Sequence, residues 1–250
     1  MTVVRTDLVF YASQDMPENN IDIAGGAINS GFRVSFDDLT SNSQVAIHSS
    51  ITGDNYQTGT LTGRTIAGTV TSENIILNGT EYQNSVVTYE RILKFQLQSS
   101  ASGIVTIRNA GNPNGNIVAN IPAGESGIKR PFFDATASIS STRTYYEKIF
   151  AQNRNVYTTL NSGYINQIDL GLSDSIVFAL EDTKQYTGTI ANREAVPTGI
   201  SGGFGEGPSG IVSGELTAGD YQGVWLKLSL QANNSPVNSF YELQISGITA

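Results

Sequence analysis

No stretch of the chain carries the apolar spacing of an amphipathic helix, i, i+3, i+4, i+7 sustained over more than ten positions. Short runs of alternating apolar and polar residues recur throughout instead. Successive side chains on a strand point to opposite faces, so a period of two marks a strand with one face in a core. In Phe32-Arg33-Val34-Ser35-Phe36, residues Phe32, Val34 and Phe36 share one face, and Arg33 and Ser35 share the other. Runs of the same kind occupy 3–11, 45–49, 58–62, 69–77, 85–97, 103–108 and 117–121, each bounded by Gly, Pro, Asn, Asp or Ser. Short strands at such regular intervals pack as a sandwich or barrel rather than as βαβ units.

Turn residues fit the same reading. Asn78-Gly79 follows a strand run and suits the positive φ angles of a tight hairpin. Pro122-Ala123-Gly124-Glu125 reads as a second turn, and Asn109 to Asn116 as a longer polar loop. The polar stretch Ser138-Ile139-Ser140-Ser141-Thr142-Arg143 separates a first set of strands from a second, at 145–151, 165–170, 175–180, 188–191, 223–230 and 239–245. We therefore expect an all-β protein of two β-sandwich domains, Ig-like or jelly-roll-like with long polar loops, over residues 1–138 and 139–250.

In the run 224–230, Val224, Leu226, Leu228 and Leu230 fall on one face, and the single tryptophan, Trp225, on the other with Lys227 and Ser229. Trp225 is expected to pack under a loop or beside the neighbouring domain, with an interface anchor as the functional alternative. The glycine-rich segment 198–210 reads as an exposed connecting loop, or as a contact loop ordered by a partner.

Composition narrows the function. Lys+Arg 14 against Asp+Glu 22 gives a net charge of -8, which argues against a grip on nucleic-acid phosphates. The absence of cysteine excludes disulfides, thiolate metal sites and cysteine nucleophiles. No run approaches the ~18 apolar residues of a membrane helix. The first residues lack the basic start and apolar centre of a signal peptide, so a soluble protein made in the cytoplasm, or one exported by a route the sequence does not show, is expected, with no membrane association.

Two literal motif matches fall in the glycine-rich segment. Gly205-Glu206-Gly207-Pro208-Ser209-Gly210 fits G-x-G-x-x-G, but a strand follows it where the dinucleotide fingerprint requires a helix, and Pro208 removes an N–H donor. Gly199-Ile200-Ser201-Gly202-Gly203 fits G-x-S-x-G, yet the single histidine, His48, lies far upstream in a run whose alternation turns it away from the core. One histidine without cysteine leaves no zinc site of several nitrogen or sulfur ligands. Asp15 to Asp22 offers oxygen ligands without the order of a calcium loop and reads as a solvated loop. Asn78-Gly79-Thr80 and Asn233-Asn234-Ser235 fit the glycosylation pattern but read as turns. The expectation is a protein that is not an enzyme, with no catalytic, cofactor-binding or metal residues.

Segment 59–80, with Gly59-Thr60-Leu61-Thr62-Gly63-Arg64 leading into Thr71-Ser72-Glu73-Asn74-Ile75-Ile76-Leu77-Asn78-Gly79-Thr80, resembles the Ig-like modules of tailed-bacteriophage virion proteins, as does Thr88-Tyr89-Glu90-Arg91-Ile92-Leu93. Tyr145-Tyr146-Glu147-Lys148-Ile149-Phe150, Ile190-Ala191-Asn192-Arg193 and Leu216-Thr217-Ala218-Gly219-Asp220-Tyr221-Gln222-Gly223-Val224-Trp225-Leu226-Lys227 are similar to segments of phage structural proteins encoded among head genes. The resemblance implies a capsid cement or decoration protein on the exterior of the virion, bound to the major capsid protein and to itself as a homotrimer. Candidate contacts are Val3 and Val4, Asn19, Phe204 and Trp225. A tail or head fibre module recognising host-surface glycan is the alternative, followed by a glycosidase with paired carboxylates and by an adaptor near the portal.

Overall fold

The computed structural model describes residues 2–34, 36–110, 116–133, 135, 138, 140–168, 175–232 and 241–249. Among them the regular structure is all strand, apart from short 3-10 turns at Arg5–Asp7 and Val212–Gly214. In chain order the strands are β1 (Leu8–Asp15), β2 (Ala24–Arg33), β3 (Val45–Ser49), β4 (Asn55–Arg64), β5 (Val70–Asn78), β6 (Gln83–Asn84), β7 (Arg91–Leu97), β8 (Val105–Asn109) and β9 (Ile117–Ile121). They continue as β10 (Gly127–Lys129), β11 (Arg143–Asn153), β12 (Leu160–Ile168), β13 (Ser175–Leu180), β14 (Thr189–Ile190), β15 (Ser209–Gly210), β16 (Glu215–Leu216), β17 (Tyr221–Leu230) and β18 (Glu242–Thr249).

These elements form two compact units, Ser30–Arg130 and Met1–Asn29 with Pro131–Ala250. The expected division at 138/139 falls elsewhere, because β1 pairs antiparallel with β11, Leu8 opposite Asn153 and Ala12 opposite Ile149. Alternation identifies a strand but not its partner, and this partner lies far along the chain. Of the run Phe32–Phe36 only Phe32 and Arg33 are strand, as the end of β2, which pairs there in parallel with β10; Val34 and Phe36 lie beyond it, and Ser35 lies outside the described residues. Of the expected loops, positions 111–115 of the polar loop and the triplet Asn233-Asn234-Ser235 lie outside the described residues.

Unit Ser30–Arg130 is a two-layer sandwich. One layer runs β10-β7-β4-β5 and the other β6-β3-β8-β9, with antiparallel pairing throughout both. Val45, Ile47, Val105, Ile107, Val118 and Ile121 of the second layer pack with Leu61, Ile75, Leu77, Ile92, Phe95 and Leu97 of the first in one buried cluster. The alternation read from sequence is realised in part: on β3, Val45 and Ile47 enter the core, Ala46 between them is buried as well, and His48 is partly exposed, its ring tilted against that of Tyr82. Gly79 turns the chain at φ +58°, and a Cβ there would lie 2.9 Å from the Thr52 backbone, so both conformation and space require glycine. Asp54 locks the neighbouring loops by accepting from Ser49 Oγ and from the N–H groups of Ser102 and Gly103.

The other unit is built on β11 and β17, whose ladder runs from Arg143 opposite Leu230 to Gln152 opposite Tyr221. β13 flanks β17, β1 and β2 continue the sheet beyond β11, and β14 pairs with β2. A smaller sheet gathers β15, β16 and β18 on β12. From Tyr145 to Ala151 every residue of β11 is buried, and β17 is buried from Gln222 to Leu226. Both faces of these central strands are therefore covered, so a charged residue on either face must find its partner inside the protein.

Candidate functional site

The N-terminal end of β1 carries an apolar surface fixed by polar bonds. Asp7 closes the first 3-10 turn, and its Oδ2 accepts both the Val4 N–H at 2.9 Å and the Asn155 Nδ2–H at 3.0 Å. The Arg154 N–H bonds the Asp7 carbonyl at 2.7 Å. One carboxylate oxygen thus ties Val4 to the loop that follows β11. The donors favour the charged form and hold the Asp7 carboxyl below its ordinary range, the Asn155 amide foremost and the Val4 N–H next.

That loop is itself a built turn. Asn155 Oδ1 accepts the N–H groups of Tyr157 and Thr158, and the buried Asn153 amide donates to the carbonyls of Thr158 and Leu216. Between these anchors Val156 and Tyr157 are 71% and 75% exposed, with Val4 at 51%. Large apolar side chains held in water by an ordered backbone lose little freedom on binding, which suits a contact surface. Of the expected contacts, Val4 belongs to this surface and Val3 beside it is half-buried. Val156 and Tyr157 were not singled out from sequence, although two large apolar residues between Asn155 and Thr158, outside any alternating run, were a readable signal.

Asn19 is exposed in a second apolar loop. Its Oδ1 accepts from the N–H groups of Ile21 and Asp22 and its amide donates to the Asp22 carboxylate, which leaves Ile21 82% exposed. An open depression of about 450 Å³ lies here, lined by Asp15, Met16, Pro17, Ile21, Asp22 and Ile23 among others. Among the described residues, no group of three or more His, Cys, Asp or Glu could hold a metal ion.

The remaining two expected contacts face inward. Trp225 is 1% exposed and packs with Ala24, Tyr146 and Ile190 beneath Ala195, Ile200 and Phe204. It therefore packs under a loop, and as an interface anchor it is corrected: its ring is already covered. Phe204 is part of that cover, its ring 5.4 Å from that of Tyr146. The glycine-rich segment is tied down rather than free: Gly205 exchanges two backbone bonds with Phe178, the Gln167 N–H reaches the Glu206 carbonyl, and Ser209–Gly210 pairs with β12. Ser201, the serine of the G-x-S-x-G match, donates its Oγ–H to Asp182, while His48 belongs to the other compact unit.

Two ion pairs lie wholly inside this unit. Glu147 and Lys148 are consecutive on β11 and so point to opposite faces. Arg193 bonds Glu147 at 2.9 Å and Asn20 Oδ1 at 2.6 Å, and the second Glu147 oxygen accepts the Phe132 N–H. Lys148 meets Glu181 at 2.7 Å. All four charged side chains are fully buried, and none was expected as such from the sequence. Comparison with known protein families, curated proteins and solved structures finds no match to this chain.

Proposed function

We propose that this chain is a structural protein of a tailed-bacteriophage particle, a cement or decoration protein that binds the outer surface of the major capsid protein lattice and stabilises the head. The observation that carries the reading is the ordered apolar surface of Val4, Val156 and Tyr157, fixed through Asp7 and Asn155. The segment that resembles Ig-like virion modules supports it, since residues 59–80 supply the β4–β5 hairpin of a sandwich layer. An acidic chain suits the outside of a shell better than its DNA-filled interior.

Stabilisation would act by linkage: a subunit that binds only the assembled lattice favours it by mass action, because bound copies must leave before capsomers part. Self-association as a homotrimer at local three-fold positions belongs to the same proposal. Cryo-EM of the purified particle, with subunits assigned by mass spectrometry, is the test. Hundreds of copies over the head are expected; a few copies at the tail or a vertex would replace the reading with the glycan-binding fibre, and absence from the particle would end both. Tyr157→Ser is expected to leave the melting temperature within about 2 °C and to weaken binding to undecorated heads at least ~10-fold, as loss of a central aromatic anchor does. Unchanged binding would move the contact elsewhere.

A further inference from the structure

The buried pair Lys148–Glu181 has a geometry that a salt bridge alone does not require. Both side chains are fully buried, with Lys148 Nζ 2.7 Å from Glu181 Oε1 and bonded at 2.7 Å to the Tyr186 carbonyl oxygen. Rings of Phe150, Tyr186 and Trp225 surround the nitrogen, their centroids 4.8, 5.3 and 5.8 Å away. Glu181 Oε1 also accepts the Trp225 indole N–H at 3.0 Å, whereas Oε2 is buried with no hydrogen-bond partner among the described residues. That orphan oxygen lies against Gly223, where a Cβ would come within 1.9 Å of it. Gly223 sits inside β17 without a positive φ, so the glycine serves space alone: the strand is cut away to receive this carboxyl group.

We infer that Lys148 and Glu181 are the two halves of an intramolecular amide cross-link, formed between Nζ and Cδ with loss of water. The pair begins as ammonium and carboxylate. Burial disfavours both charges, lowering the pKa of Lys148 and raising that of Glu181, and so favours the form in which one ammonium proton has moved to the carboxyl group, a neutral amine beside a neutral acid. The amine lone pair attacks Cδ, and the displaced carbonyl electrons collect on Oε1, where the Trp225 N–H faces them. The Nζ–Cδ bond forms, the Cδ–Oε2 bond breaks, and Oε2 departs as water with two of the three ammonium protons. The third stays on the amide nitrogen, within reach of the Tyr186 carbonyl. After the attack Nζ and Oε2 are bonded to the same carbon, so the nitrogen supplies the proton with which Oε2 leaves as water. Atoms and charge balance with no oxidant or co-reactant, and a fixed contact supplies the high effective concentration that the unaided reaction in water lacks. The product also removes two ions from a fully buried site.

This inference stands apart from the virion reading. Its test is the intact mass of the purified, folded, full-length protein measured after denaturation, followed by tandem mass spectrometry of its digest. The expected result is a mass one water below that of the sequence, a branched peptide joining Lys148 to Glu181, and the full sequence mass in Lys148→Arg. A wild-type chain at full sequence mass overturns the inference without any variant having to fold. So does a water loss that maps to other residues, for example to an aspartyl succinimide.

Discussion

The two compact units solve the burial of a β-sheet in different ways. In Ser30–Arg130 the two layers cover one another, strands keep one face for the core, and the buried cluster is aliphatic and aromatic. In the other unit β11 and β17 are covered on both faces, and consecutive charges on β11 are each neutralised by a partner more than thirty positions away, Arg193 for Glu147 and Glu181 for Lys148. An apolar core is tolerant of composition as long as volume is kept. A charged one is not, because each ion depends on an oppositely charged counterpart and on the segment that delivers it.

The largest effect should come from breaking one of those pairs. Arg193→Ala leaves Glu147 buried and uncompensated and is expected to cost about 3–5 kcal/mol in urea unfolding. The double replacement Glu147→Leu with Arg193→Met should recover most of that, since an apolar pair of similar volume is often neutral or better. A double variant as unstable as the single one would show that the comparison rests on shape rather than charge. In the apolar sandwich, Leu61→Ala should cost about 2–5 kcal/mol, while Leu61→Met should cost less than about 1.5 kcal/mol. A Met variant as damaging as Ala would remove the contrast in tolerance.

Gly223→Ala comes next. In the uncondensed Lys148–Glu181 pair its methyl group would meet Glu181 Oε2, and overpacking of this kind costs about 1–3 kcal/mol. A neutral result would mean that Glu181 has room to move or has lost Oε2 to the cross-link. Smallest is Asp7→Asn. Donors from Asn155 and Val4 lower the folded pKa of Asp7 beneath its ordinary value of 3.8, so the ionised form contributes stability above that value, lost as pH falls through the folded pKa. The variant should flatten the acid limb of the melting curve against pH and shift the neutral melting temperature by less than about 2 °C. An unaltered acid limb would separate the Val4 surface from this carboxylate.

How far the sequence disclosed this arrangement follows the same contrast. Half-buried strands announce themselves by alternation, so Val45 and Ile47 in the core and the outward His48 were all legible. So were the orientation of Trp225 away from Val224 and Leu226 and its packing under a loop, though not which loop, since nothing in its neighbours shows that Ala195, Ile200 and Phe204 arrive from a distant segment to cover it. The pairing of β1 with β11 was hidden for the same reason: a strand's own residues do not name its neighbour. Nothing local to Glu147-Lys148 shows that both charges are buried, because Arg193 and Glu181, which receive them, lie far along the chain. The exposed apolar surface proposed for contact was half legible, through Val4, and half missed, because Val156 and Tyr157 belong to a turn rather than to a periodic run.

The covered tryptophan makes the molecule its own optical gauge. Because Trp225 is the only indole in the chain, intrinsic fluorescence under tryptophan-selective excitation comes from a single place, walled by Tyr146 and Ile190 and roofed by Phe204. Its emission maximum should sit at short wavelength in the native protein and move to the red when that roof lifts. The colour of the emitted light then reports the state of one fold of chain while the sandwich elsewhere stays dark.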